Sequence, residues 1–137
     1  MSVHEIKDGD QVLARYVPAD AVLQSGLRFY SEPNEYLQVG TWSYAAGVQL
    51  PAHVHNRLPR EVVRTQELIL VRKGRLRATI FGEHSRAVAQ VELQAGDLLI
   101  LLSGGHGYEI LEDGTQVLEV KNGPYLGPEL DRTRMEV

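Results

Sequence analysis

His53 and His55 stand two positions apart in the stretch Leu50-Pro51-Ala52-His53-Val54-His55. On an extended chain, residues two apart point to the same side, so both imidazoles can be aimed at one point. A metal site requires that arrangement, although histidines on strands also serve as ordinary hydrogen-bonding groups. Two further donors lie downstream. Glu67 opens an alternating apolar segment, and His106 directly follows the Gly104-Gly105 break. If neighbouring strands bring the four together, three neutral imidazoles and one carboxylate surround a common centre. Such nitrogen and oxygen donors suit one divalent transition ion: Fe, Mn, Ni, Co or Zn. The chain contains no cysteine, so disulfides, thiolate chemistry and metal sites built on cysteine sulfur are excluded.

Other residues could shape a ligand site around those donors. Trp42 and Tyr44 alternate along one segment and so share a face. They either pack into the core or form an aromatic wall for a planar or sugar-like ligand. Tyr108 follows His106 by two and points to the same interior, where its hydroxyl is a candidate catalytic donor. Arg57, Arg60 and Arg64 fall between the histidine pair and Glu67. Guanidinium groups match carboxylates and phosphates with paired hydrogen bonds, which points to a small anionic ligand such as a carboxylate or a phosphorylated or nucleotide-linked sugar. Arg72, Arg75 and Arg77 read as solvated surface, as do His4 near the terminus and His84 in a turn.

The elements that must position these residues are strands. Residues 11–17, 26–31 and 36–45 are rich in β-formers and separated by turn-like stretches, with one helical turn expected over 19–24. Residues 67–72 and 75–81 flank Lys73-Gly74, a tight hairpin. The segment 86–93 pairs back on the second of these, and Gln94-Ala95-Gly96-Asp97 turns into the apolar run 98–102, a strand buried on both sides. Strands over 108–111 and 115–121 follow, and the tail after Gly123 is expected to be irregular. Many short strands at even spacing predict an all-β sandwich or barrel in one domain, residues 1–137.

The spacing around the donors adds a family resemblance. Gly47, five residues, His53, one residue, His55, then Glu67, six residues and Gly74 resembles the first motif of the cupin family. Gly96, five residues, then Leu102-Ser103-Gly104-Gly105-His106 resembles its second motif. The resemblance has its motif core in residues 47–110. It implies a single-domain, cupin-type jelly-roll β-barrel with one metal ion held by His53, His55, Glu67 and His106. The loop before Glu67 is longer than the family's usual gap, which makes Glu61 the alternative fourth ligand. Leu102 stands where proline is usual and Ile110 where asparagine is common. The runs Gly104–Glu109 and Glu119–Tyr125 are also similar to a subgroup of small stand-alone cupins without an established activity.

Composition narrows the function classes. The net charge of −4 argues against a nucleic-acid partner, which would require a basic face. No apolar run is long enough for a membrane-spanning helix, and the N-terminus is charged where a signal peptide is apolar, so a cytoplasmic location is expected. Eleven of the fourteen basic residues are arginine. The expected function is a mononuclear metal-dependent enzyme, an oxygenase or an isomerase/lyase, acting on a small anionic or sugar-like molecule. The other class is a non-catalytic metal-dependent binding or sensor module. Apolar residues on both faces of the strands around 68–71 and 98–102 predict a homodimer.

Overall fold

The computed structural model describes residues 2–22 and 25–137. Ten antiparallel strands form three sheets. They are β1 (His4–Asp8), β2 (Gln11–Val17), β3 (Gly26–Phe29), β4 (Gly40–Ser43), β5 (Glu67–Lys73), β6 (Arg75–Phe81), β7 (Ala87–Gln94), β8 (Leu98–Leu101), β9 (Gly105–Ile110) and β10 (Gln116–Lys121). The largest sheet runs β1-β2-β8-β5-β10, a second runs β7-β6-β9, and β3-β4 is a two-stranded ribbon. A short helix, Pro128–Asp131, lies in the tail that was expected to be irregular. No helix among the described residues is long and apolar enough to cross a membrane.

Strand β8 organises the packing because its side chains are buried on both faces. Leu99 and Leu101 join an inner core with Leu13, Ile69, Val71, Leu76, Ile80 and Leu93, which fills the space between the five-stranded and three-stranded sheets. Leu98, Ile100 and Leu102 join an outer core with Val17, Ala21, Tyr30 and Val39. Burying each large aliphatic side chain contributes roughly 1.5–3 kcal/mol. Both cores are therefore needed to secure one central strand.

Polar ties hold the outer core in place. Arg15, 5% exposed, donates to Glu5, to the Tyr30 carbonyl and, with two nitrogens at 2.6 and 2.8 Å, to the Glu35 carboxylate. The loop after β3 is thereby clamped onto the sheet. Asp97 is buried and accepts from the backbone N–H of Ala19 and Gln94 and from the Tyr16 hydroxyl. That fixes the β7–β8 turn against the 3-10 turn Ala19–Val22. The remainder of the helical turn expected over 19–24 lies outside the described residues. Burial, and then the Asp97 carboxylate, pushes the Tyr16 phenol up to about 12.

The strand readings for 11–17 and 75–81 coincide with β2 and β6, and those for 67–72, 86–93 and 98–102 fall within a residue of β5, β7 and β8. Gly74 at φ 83° makes the β5–β6 hairpin, where a Cβ would strike the Thr115 backbone. Other expectations differ, and β9 begins at Gly105 rather than at 108. β1 was not anticipated, because Ile6 is its single apolar residue. β4 is shorter than the 36–45 read from sequence, because residues 36–39 form a loop tied to Gln66 and Ser31. The described strands do not close into a barrel, since β10 and β9 each end their sheet without a neighbour. Replacing Asp97 with Ala leaves three donors unpaired and should lower the unfolding free energy by about 2–3 kcal/mol. The check is a lower urea midpoint at unchanged slope.

Candidate functional site

Three strands direct side chains to one end of the inner space. Glu67 shares its face of β5 with Ile69 and Val71, both in the inner core. Register pairs His106, Tyr108 and Ile110 of β9 with Ile80, Ala78 and Leu76 of β6, so all three point inward. On β10, Lys121 lies opposite Glu67 and Glu119 opposite Ile69. Gly104 sets up the approach to His106. Its φ is 75°, and a Cβ there would strike the Phe81 carbonyl oxygen.

The result is a polar cluster built across two sheets. His106 Nε2 lies 3.2 Å from Glu67 Oε2, and Lys121 Nζ lies 3.2 Å from Glu67 Oε1. The His106 and Tyr108 rings sit 5.5 Å apart. Glu67 is 7% exposed. Burial opposes its charge, but the His106 imidazole and the Lys121 ammonium outweigh that and hold the carboxyl below its usual range. Burial, reinforced by Glu67 and Glu119, pushes the Tyr108 phenol well up, so it stays protonated and able to donate.

Glu67 Oε2 is a buried oxygen without a hydrogen-bond partner. His106 Nε2 is close enough for an ion pair, yet not aligned as a hydrogen bond to it. Two ligands bound at right angles to one ion, at roughly 2.0–2.2 Å, stand about 3 Å apart. The orphaned oxygen, the facing imidazole nitrogen and their separation therefore fit two positions of a divalent metal site. Lys121, which the sequence reading missed, orients the other carboxylate oxygen. Its only signal in the sequence is its place at the end of the last alternating strand.

The other expected donors are elsewhere. His53 and His55 lie in the irregular segment between β4 and β5 rather than on a strand. Their rings are 5.0 Å apart, and His53 Nδ1 contacts the Pro51 carbonyl. Among the described residues, no three His, Cys, Asp or Glu side chains come together closely enough to hold an ion. Within one chain the four donors form two separate pairs. Every residue from 42 to 64 is exposed, which includes Arg57, Arg60, Glu61 and Arg64. Trp42 and Tyr44 do share a side, their rings 5.9 Å apart, but both are exposed at 62% and 44%. They neither pack in the core nor line the cleft.

Beside the cluster opens a cleft of about 300 Å³ lined by Ile69, Leu76, Tyr108, Ile110, Val117 and Glu119. It is the gap between the outer edges of β9 and β10, each of which ends its sheet. No known family model, curated protein or solved structure matches this chain.

The ion pairs to Glu67 give a sign for acid sensitivity. Its folded pKa lies below the ordinary glutamate range, so the stability it contributes is complete above that range and is lost as pH falls through the depressed value. Replacing Lys121 with Met should raise the Glu67 pKa, so that this loss begins at a higher pH. A carboxylate NMR titration reads the shift directly.

Proposed function

We propose that this protein is a cupin-type jelly-roll protein that binds one divalent transition ion and acts as a metal-dependent enzyme on a small anionic molecule. The observation that carries the reading is the buried, orphaned Glu67 Oε2 facing His106 Nε2. A carboxylate oxygen removed from water without a donor costs several kcal/mol unless something positive satisfies it. Glu67 and His106 are two of the ligands, and the His53-x-His55 pair supplies the others. A bound divalent ion would supply Lewis acidity at a substrate oxygen or, if redox-active, dioxygen chemistry.

The chain's own residues have separable tasks. Lys121 fixes the Glu67 carboxylate by holding Oε1, which leaves Oε2 free to ligate. Tyr108 keeps its proton and donates a hydrogen bond to a substrate oxygen beside His106. The apolar walls of the cleft, Ile69, Leu76 and Val117, exclude water from one side of the substrate. Arg57, Arg60 and Arg64 belong to the same segment as His53 and His55 and would pair with a carboxylate or phosphate at the cleft mouth.

Elemental analysis should find about one transition metal per chain in protein from its own source. His53→Ala and Glu67→Gln should each lose most of it while keeping their circular dichroism; unchanged metal content in Glu67→Gln would overturn the assignment. With Fe(II) loaded, oxygen uptake across a panel of small carboxylic acids and diols separates an oxygenase from a lyase, and a binding module would consume none. In calorimetry, Arg57→Ala and Arg64→Ala should each weaken binding of an anionic ligand about 10- to 100-fold, the worth of one charge-assisted hydrogen bond, without altering metal content.

A further inference from the structure

The segment that carries His53 and His55 is an exposed, apolar arm. Trp42, Tyr44, Val48, Leu50, Val54, Leu58, Val62 and Val63 are all exposed, Val54 by 86%. Among the described residues, its backbone from 44 to 63 makes only local hydrogen bonds, such as Val48 N–H to the Ala45 carbonyl. Both ends of the arm are anchored. Ser43 pairs with Gly26 in the ribbon, and Gln66 donates to Asn122 and accepts from Tyr36 and Leu37. A run of large apolar side chains this long is not left in water without a partner.

The same chain has a surface of matching character. Strands β9 and β10 present unpaired edges on either side of the cleft. Tyr108, Ile110 and Val117 are exposed along the cleft, and Leu118 and Val120 are exposed on the other face of β10. Charge is complementary as well. Over residues 44–64 three arginines stand against one glutamate, whereas over 105–121 four acidic residues stand against one lysine, with Glu109 and Glu112 sharing Arg77 and Arg75 of β6. The half-site, buried Glu67 with the more exposed His106, lies at the end of this seam and lacks the donors that the arm carries.

We propose that a second copy of this chain fills the seam, each subunit laying its arm along β9 and β10 of the other. The His53 and His55 of one subunit then complete the metal site with Glu67 and His106 of its partner. The exchange is reciprocal, so one two-fold axis closes both seams and leaves no arm exposed. A standard interface uses about 20–30 residues a side, and the arm with its receiving strands supplies that number. The shared site rests on the metal assignment made above, whereas the arm exchange rests on the exposed apolar surface.

Mixed dimers test the two parts separately. A His53→Ala/His55→Ala chain and a Glu67→Gln/His106→Ala chain are co-expressed with different non-histidine affinity tags, and the heterodimer is isolated by sequential purification. After loading with Zn²⁺, each homodimer should hold no metal and the heterodimer one ion, against two in the native dimer. A metal-free heterodimer alongside a metal-loaded native protein would place the site within one chain and overturn the proposal. So would a native protein that sediments only as monomer at micromolar concentration. If the native dimer binds no metal, the metal assignment fails alone, and Leu50→Asp/Leu58→Asp then decides the docking. Both positions are exposed in the single chain. Dissociation of that variant to folded monomers supports arm exchange, and persistence of the dimer overturns it.

Discussion

The architecture depends on a central strand with no wet face. β8 packs Leu99 and Leu101 into one core and Leu98 and Ile100 into another, and it hydrogen-bonds to β2 on one side and β5 on the other. Moving β5 by one residue against β8 would turn Ile69 and Val71 out of the inner core and bring Leu68 and Leu70 in. Glu67 opposes Leu101 in that register. The position of the only buried glutamate among the described residues is therefore set by hydrophobic packing of its neighbours.

The two cores are finished differently. The outer one is closed by its own chain, with Arg15 clamping the Tyr30–Glu35 loop through a buried, two-pronged ion pair. A charge that is well buried is tolerated because Glu5, Glu35 and a carbonyl satisfy it together. The inner core is left open along β9 and β10, where apolar side chains face a cleft and Glu67 Oε2 lacks a hydrogen-bond partner. An exposed arm and an unclosed seam in one chain are a single deficit seen twice, and the proposed exchange removes both. It would also give the site a property that a self-contained barrel lacks, because metal affinity would then depend on assembly.

The inward set Glu67, His106 and Tyr108 was legible in the sequence by itself. The two-residue period of strands assigns a face to each position, and Gly74 and Gly104 mark where the chain must turn. The apolar run of β8 likewise announced its own burial. Lys121 was not legible, because its meeting with Glu67 depends on which strands become neighbours and in what register, which no local pattern encodes. The segment 44–64 shows the same boundary more sharply. Its residue types specify metal donors, arginines and apolar contact surface, but side-chain chemistry does not say whose surface it meets. Only the tertiary structure separated His53 and His55 from Glu67 and His106, since anchoring at Ser43 and Gln66 and the absence of a strand partner between them are properties of the packed sheets.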